Sequence, residues 1–207
     1  GVLPSRVITT GQPVAPTLQQ RIACAAASRD RHDTRLRVLL IGGGEGSSML
    51  GRIAHAIIEA QLPIVLNVVC GRNEALRAAL MRSLNDSLFT QVLGFVEDVP
   101  ERMGLADVLI TKAGSTTLAE GFIAGLPIIL FDALPGQEEG PRDYAVSHGA
   151  ARWCPTASQV VAQLRHWLKC PEDMQRVARV SRALARPDAA LDIARALARL
   201  VEAPRAH

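Results

Sequence analysis

Short apolar runs alternate along the chain with longer segments in which apolar positions recur at helical spacing. The runs are rich in Val, Ile and Leu, which is typical of strands that are buried on both faces of a parallel sheet. The runs that predict strands are 36–41, 63–70, 90–93, 108–110, 128–130 and 150–153. The alternation therefore predicts an α/β fold, a Rossmann-like doubly wound parallel sheet with helices on both faces.

Capping and turn residues place the helices between these strands. Ser47 or Ser48 is suited to start one helix and Asn73 another, because their side chains can accept hydrogen bonds from the first free amides. The Ala- and Arg-rich tail is divided into three helices by Pro171 and Pro187. Helices are predicted at about 17–28, 48–60, 74–84, 99–105 and 139–148, with one more between Gly114 and Gly125.

The first sixteen residues differ from the rest of the chain because they are extended and rich in turn residues. We interpret residues 1–16 as a linker between domains, although an ordinary flexible terminus fits the same composition. Residues 17–207 then form one domain, in which residues 170–207 are a helical tail.

Composition excludes several classes of function. Of 207 residues 48% are hydrophobic, enough for a substantial core, and the net charge is only +3. Aromatic residues make up 3%, so neither the basic footprint nor the stacking platforms of a nucleic-acid-binding protein are present. No apolar stretch reaches the roughly 18 residues that span a bilayer, which favours a soluble or peripheral protein.

Cysteine and histidine spacing predicts neither a metal site nor a disulfide framework. The four cysteines are widely separated and form no C-x-x-C pair, so we expect buried free thiols in a reducing cytosol. The histidines have no metal-ligand spacing either, and no cofactor is expected. The residues concerned are Cys24, Cys70, Cys154 and Cys170, and His32, His55, His148, His166 and His207.

The strongest chemical signal is the segment from Thr111 to Glu120, which follows a predicted strand. Its small residues and hydroxyls lead into a helix start, where backbone amides favour an anion. Glu120 lies about one and a half turns further on, where a carboxylate can accept hydrogen bonds from a ribose diol. Phosphate donors and a ribose acceptor together predict a nucleotide site.

A dinucleotide site of the nicotinamide type is the obvious alternative. Gly42 and Gly44 occupy the first two positions of G-x-G-x-x-G, but Ser47 occupies the third. The acidic residue that would bind the ribose is missing at the end of the next strand, which reads CGRN at 70–73. This alternative fails, although a plain tight turn would also explain the glycines at 42–46.

Several polar segments follow strand ends, and in a doubly wound sheet these ends share one edge. The segments are 42–48, 70–73, 94–96 and 112–117. Lys112 is predicted to contact phosphate there, although a surface lysine is the plain alternative. Asp132 or the group at 137–139 is placed to reach the hydroxyls of a sugar, or else consists of solvated loop charges.

These motifs resemble the C-terminal, donor-binding half of monogalactosyldiacylglycerol synthases and processive diacylglycerol glucosyltransferases. These are GT-B enzymes related to the peptidoglycan UDP-N-acetylglucosamine transferase. The resemblance covers residues 7–153 and includes the linker-like segment 8–16. Its motifs are 42–46, 70–73, 94–95, 111–114 with Thr117 and Glu120, 125–130 and 135–138.

The resemblance implies a role for each motif in binding a UDP-sugar. The uracil would lie against Phe95 and Val96 with Arg72 or Asn73 nearby, and Glu120 would bind the ribose. Gln137 and Glu138 would contact the transferred sugar. The diphosphate would be surrounded by amides and hydroxyls of Gly44, Glu45, Gly46 and Ser47 and of Gly114, Ser115, Thr116 and Thr117.

The implied reaction is metal-independent inversion by direct displacement, with galactose or glucose transferred from its UDP derivative to diacylglycerol. The catalytic base would belong to an N-terminal acceptor domain, in the same protein or in a separate subunit, for which there is no room before Gly1. By itself the chain is therefore expected to bind the donor without transferring it efficiently. The mild basic balance and the Arg-rich tail suit contact with anionic lipid, although a solvated helix face explains them as well. The resemblance implies a peripheral protein at the cytoplasmic face of the plasma membrane.

Departures from the family pattern leave other functions open. The loop after Gln137 continues as GPRD at 140–143, where relatives often have Asn, so the sugar is not determined. Alternatives are transfer of N-acetylglucosamine from its UDP derivative to a lipid-linked acceptor, or a non-catalytic UDP-sugar-binding subunit. An epimerase would need acid and base groups in its own cleft, and the sequence offers no clear candidate for them.

Overall fold

The computed structural model describes Leu3 and residues 7–30, 32–43, 48–84 and 89–202, and leaves the side chains of Ser48 and Glu202 undescribed. Within these residues six strands and nine helices alternate. In chain order they are α1 (Leu18–Ala27), β1 (Leu36–Ile41), α2 (Ser48–Glu59), β2 (Ile64–Val69), α3 (Glu74–Ser83), β3 (Thr90–Leu93), α4 (Val99–Leu105), β4 (Val108–Lys112), α5 (Ser115–Ala124), β5 (Ile128–Asp132), α6 (Glu139–Ser147), β6 (Ala151–Trp153), α7 (Ala157–Lys169), α8 (Pro171–Ala183) and α9 (Ala189–Glu202).

The strands form one parallel sheet in the order β3-β2-β1-β4-β5-β6. This order confirms the predicted doubly wound fold, because the chain builds outward from β1 to one edge and then from β4 to the other. The direction reverses between β1 and β4, whose registered pairs end at Ile41 and Thr111. A crevice opens at such a reversal, beyond the carboxyl ends of the two strands.

The sheet separates two hydrophobic cores, one on each face. Leu40 and Ile110 face the core that α2 and α7 cover, in which Trp167 is 1% exposed. Leu39 and Leu109 face the opposite core, under α4, α5 and α6. Neighbouring residues of a strand point to opposite faces, so burial on both sides requires the unbroken apolar runs seen in the sequence.

The predicted boundaries agree with the observed elements to within about two residues. The strand at 90–93 and the helix at 99–105 have the predicted limits, and Pro171 begins the second of three tail helices. The prediction for β4 was short, because the strand continues from Ile110 to Lys112 with a register shift between Thr111 and Lys112. Thr111 is 2% exposed, so it belongs to the sheet and not to the loop that follows.

Helix α1 is held firmly against the helices of the second core. Its residues Leu18 and Ile22 pack on Ala119 and Ile123 of α5. A Cβ atom on Gly104 would lie 2.3 Å from the Ile22 carbonyl oxygen, so only glycine permits this approach of α1 to α4. Helix α1, which precedes the first strand, therefore lies beside the carboxyl end of β1 and the first turns of α5.

Two further expectations bear on the chemistry of the chain. Cys70 and Cys154 are buried as predicted, but the prediction was wrong for Cys24, which is exposed because it lies on the outer side of α1. Among the described helices, none combines the length and apolar character that a membrane-spanning segment needs.

Candidate functional site

The reversal point of the sheet brings two loops together. Gly43 follows β1 in the left-handed conformation, with φ at +81°, which favours glycine over any other residue. A Cβ atom there would lie 4.0 Å from Lys112 Cδ at the end of β4. The two strand ends on which the sequence placed its motifs are therefore neighbours in space.

A cavity of about 310 Å³ opens beside these strand ends, and we call it the rim cavity. Its lining comes from Ala15 and α1, from the ends of β1 and β2, from the segment 95–100 and from α5. Of the predicted site residues it contains Phe95, Val96, Thr117 and Glu120. Residues far apart in sequence thus meet in one concave site of the size of a nucleoside.

Glu120 is the buried acid of the rim cavity. It lies on α5 and is half-buried, which disfavours its charged form. Burial raises the pKa of Glu120, and the positive charge of Arg21 opposes that rise. A partly desolvated carboxylate has two acceptor oxygens and is suited to two neighbouring hydroxyls, as on a ribose.

Phe95 forms the outer edge of the rim cavity and is 57% exposed. The guanidinium of Arg72 lies over its ring, with Cζ 5.2 Å from the ring centroid. Asn73 has a local task instead, because its Oδ1 accepts a hydrogen bond from the Leu76 amide at 2.9 Å and caps α3. Of the two residues predicted near the base, Arg72 therefore has the better placement.

A second cavity of about 210 Å³ lies at the start of α5, and we call it the helix-start cavity. Its lining consists of Gly114, Ser115, Thr116, Thr117, Gln137 and Glu138. Gly114 is the N-cap in an extended conformation and has no side chain to satisfy the first amides of the helix. These amides, the positive end of the helix dipole and three hydroxyls favour a phosphate here. Thr117 lines both cavities, so the two adjoin.

Lys112 and Glu138 form an ion pair beside the helix-start cavity, with 3.7 Å between Nζ and Oε2. The same carboxylate oxygen accepts a hydrogen bond from the Leu134 amide at 2.8 Å. The predicted phosphate-binding lysine and the predicted sugar-binding carboxylate thus hold each other before any ligand arrives.

Other candidates lie outside the two cavities. Asp132 accepts a hydrogen bond from the Ala133 amide, and Glu139 accepts one from the Gly136 amide, so both carboxylates stabilise local turns. Neither belongs to the lining of the two cavities. The predicted diphosphate residues Gly44, Glu45, Gly46 and Ser47 lie outside the described residues.

Sequence reasoning missed the contribution of α1, whose Leu18 and Arg21 line the rim cavity. Arg21 lies at the border of the stripe formed by Leu18, Ile22 and Ala25, which is the buried face of the helix. An arginine in that position is a weak signal, because long cationic side chains commonly flank apolar faces.

Comparison with known proteins shows to which family the chain belongs. The profile of the glycosyltransferase family 28 C-terminal domain matches residues 37–144. A probable chloroplastic monogalactosyldiacylglycerol synthase 2 from Oryza sativa subsp. japonica is 32% identical over 215 residues, which is 99% of this chain and 46% of that protein. The chain therefore spans about half the length of this curated relative.

Solved structures agree with the chain in fold. Acinetobacter baumannii MurG superimposes with a TM-score of 0.67 and 24% identity, over 94% of this chain and 58% of its own. A UDP-GlcNAc 2-epimerase from Neisseria meningitidis, bound to UDP-GlcNAc, superimposes with a TM-score of 0.70 and 16% identity. This match covers 96% of this chain and 56% of the epimerase chain. These likenesses confirm the Rossmann-like half of a GT-B fold.

Proposed function

Because the chain belongs to glycosyltransferase family 28, with the match in its C-terminal domain, we propose that it is the donor-binding domain of a UDP-sugar-dependent glycosyltransferase. The reaction would transfer galactose or glucose to diacylglycerol with inversion. One observation carries the proposal: the rim cavity with its half-buried Glu120 adjoins the helix-start cavity through Thr117. A nucleoside site next to an anion site is the arrangement that a nucleoside diphosphate requires.

We assign each part of the donor to one of the two cavities. The uracil lies along Phe95 and Val96, and Glu120 accepts hydrogen bonds from the ribose hydroxyls. The diphosphate lies at the start of α5, and the sugar extends toward Gln137 and Glu138. The sequence of sites follows the order of groups in a UDP-sugar without a gap, because the cavities share Thr117.

The described residues explain how this domain assists transfer without a metal. When the bond between sugar and diphosphate breaks, negative charge grows on the departing UDP. Preorganised amides at the start of α5 and the hydroxyls of Ser115, Thr116 and Thr117 stabilise that charge where it develops. Attack on the opposite face of the sugar needs a base, which we assign to an acceptor domain in the same protein or in a partner subunit.

Lipid contact completes the proposal. An acceptor of the diacylglycerol class is held by a membrane, so the enzyme works as a peripheral protein, and the net charge of +3 suits an anionic lipid surface. We assign it to the cytoplasmic face of the plasma membrane. Two alternatives remain. Transfer of N-acetylglucosamine would be recognised by a preference for UDP-N-acetylglucosamine as donor, and a purely binding subunit would be recognised by the lack of transferase activity.

Thermal unfolding with UDP, UDP-galactose, UDP-glucose, UDP-N-acetylglucosamine and NAD, all in excess chelator, tests the proposal. A ligand at 100 times its dissociation constant stabilises the native state by about 2.7 kcal/mol, which raises the unfolding temperature of a domain of this size by roughly 5–10 °C. We expect that shift with the UDP compounds, and the tightest UDP-sugar identifies the donor.

The matched variants are Glu120→Gln and Glu59→Gln. Glu120→Gln removes the negative charge and one of the two acceptor oxygens offered to the ribose, so the shift with UDP should be clearly smaller than in the wild type. Glu59 is an exposed carboxylate at the far end of α2, and its variant should respond to UDP as the wild type does. A folded wild-type sample that shifts with NAD, or with none of the UDP compounds, would refute the proposal.

A further inference from the structure

The guanidinium of Arg21 ties three parts of the chain together. Its Nε donates to Glu101 Oε1 at 2.6 Å and its Nη2 donates to Glu101 Oε2 at 2.8 Å, a two-pronged ion pair between α1 and α4. Nη2 also donates to the Glu97 carbonyl oxygen at 2.9 Å. The planar fork of an arginine is needed for this set, because a lysine ammonium cannot span the three acceptors in the same plane.

These contacts lie at the wall of the rim cavity. Arg21, Glu97 and Glu120 all line it, together with Phe95 and Val96. Glu97 directly follows the two residues to which the uracil is assigned, so its carbonyl fixes where that short irregular segment runs. An irregular segment gets its position from contacts of this kind, since no sheet or helix ladder holds it.

We infer that Arg21 is a positioning residue for the nucleotide: it holds the segment from Phe95 to Glu97 against α1, and it brings a positive charge to the cavity that contains Glu120. The inference rests on the proposed function, because it assigns the rim cavity to a uridine nucleotide. Arg21 lies before the residues that the family profile matches, which begin at residue 37.

The charges around Glu120 support the second half of the inference. Burial raises the pKa of Glu120, and Arg21 lowers it. In the part of the chain that the structure describes, the acids that act on Arg21 are Glu101, Asp98 and Glu120, and Asp98 is also paired with Arg102 of α4. Among the described residues that line the rim cavity, Arg21 is the only cation.

The chain contains a matched control just beyond the end of α1. Arg29 forms a two-pronged ion pair with Asp107, with Nη1–Oδ1 at 2.6 Å and Nη2–Oδ2 at 2.8 Å. Asp107 precedes β4, at the amino end of the strand, so this pair lies at the opposite edge of the sheet from the rim cavity. Loss of either arginine removes a comparable ion pair, but only one pair borders the nucleotide.

The test measures UDP affinity by calorimetry between pH 4 and 8 for the wild type and for Arg21→Gln, Arg21→Lys and Arg29→Gln, with the unfolding temperature of each. Arg21→Gln should weaken UDP binding by about tenfold, the effect of losing one hydrogen bond to a charged group. UDP affinity should rise with pH as Glu120 loses its proton, and in Arg21→Gln the midpoint of this rise should lie at a higher pH than in the wild type. The titration of UDP itself is common to all four proteins and cancels in the comparison.

Arg21→Lys keeps the charge and loses the fork, so we expect the wild-type pH midpoint with only part of the affinity restored. Arg29→Gln should lower the unfolding temperature about as much as Arg21→Gln and bind UDP like the wild type. The inference would be overturned, and the proposed function left standing, if Arg21→Gln had the UDP affinity and pH midpoint of the wild type. The same holds if Arg29→Gln lost as much UDP affinity as Arg21→Gln. A wild-type protein that binds no UDP would overturn the proposed function, and the inference with it.

Discussion

Glu138 Oε2 lies 3.7 Å from Lys112 Nζ, directly beside the start of α5. The side chain of Lys112 is 25% exposed and that of Glu138 15%, so the pair is partly shielded from solvent. A Cβ atom on Gly114 would lie 3.6 Å from Glu138 Oε1. The carboxylate is therefore held at the mouth of the helix-start cavity, where the anomeric end of the donor is proposed to lie.

Glu138→Gln should separate sugar recognition from nucleotide recognition. The glutamine has no negative charge to accept a strong hydrogen bond from a sugar hydroxyl. It also no longer forms an ion pair with Lys112, whose ammonium group can then approach the diphosphate, so UDP affinity should stay constant or rise. Affinity for the preferred UDP-sugar should fall by about tenfold, as expected when a charge-assisted hydrogen bond is lost. Calorimetric titration with UDP and with the UDP-sugar checks both values.

Glu139→Gln is the control for this substitution, because the neighbouring carboxylate accepts a hydrogen bond from the Gly136 amide outside the cavity. It should leave both affinities unchanged. An equal loss of UDP and UDP-sugar affinity in Glu138→Gln would show that Glu138 supports the site as a whole and does not contact the sugar.

Glu120→Gln should leave the free protein at least as stable as the wild type at neutral pH. Burial raises the pKa of Glu120 above its usual value of 4.5, so the native state binds this proton more tightly than the unfolded state does. The favourable contribution of the protonated acid is complete below pH 4.5 and is lost as the pH rises through the raised pKa. The relative stability of Glu120→Gln should therefore increase across that window, and thermal unfolding from pH 4 to 8 measures it.

The same variant has lost the charge and one acceptor oxygen at the proposed ribose site, so stability and ligand response should change in opposite directions. A Glu120→Gln protein that is much less stable than the wild type at pH 7 would mean that the carboxylate has a structural partner, and the pH argument would fail.

The thiols should react in an order set by burial. Burial raises the pKa of the Cys70 thiol to about 11 and also raises the pKa of Cys154, so both are protonated and shielded at neutral pH. Cys24 is exposed and should be alkylated first in the native protein. Mass spectrometry after timed N-ethylmaleimide treatment gives the order. Cys24→Ser should abolish the first modification, and fast labelling of Cys70 in the native state would contradict the burial of this end of β2.

Asp173 should stabilise the tail more than other surface acids do. Its carboxylate accepts hydrogen bonds from Trp167 Nε1 at 3.0 Å, Arg152 Nη2 at 3.3 Å and Arg176 Nη2, and so joins β6, α7 and α8. Burial alone would raise the pKa of Asp173, but these donors outweigh it and lower the pKa. Asp173→Asn should lower the free energy of unfolding by about 1–3 kcal/mol at pH 7.

Because the pKa of Asp173 is lowered, its contribution is present above pH 3.8 and is lost as the pH falls through the lowered value. Urea unfolding at pH 7 and near pH 3 should show a smaller difference between wild type and variant at the lower pH. Asp192→Asn is the control, since its pair with Arg195 is at the surface and is worth about 0.5 kcal/mol or less. Equal effects of the two substitutions would refute the special role of Asp173.

Local patterns in the sequence were enough to predict the sheet and half of the site. Strands such as β1 and β5 are apolar because they are buried on both faces, and that requirement can be seen in each run by itself. The helix start after Gly114 and the placement of Glu120 also follow from neighbouring residues. Capping and periodicity act over a few residues, so a single sequence contains them.

Contacts between distant residues depended on the tertiary structure. Arg21 and Glu101 are 80 positions apart, and nothing in either segment shows that α1 packs across α4. The pairing of Lys112 with Glu138 likewise needs the register shift at the end of β4 and the loop after β5. The sequence by itself determined the fold class and the helix start at which we propose that an anion binds, because these depend on local chemistry. Only packing decided which charges meet at the proposed nucleotide site, because such contacts exist only after the helices have docked on the sheet.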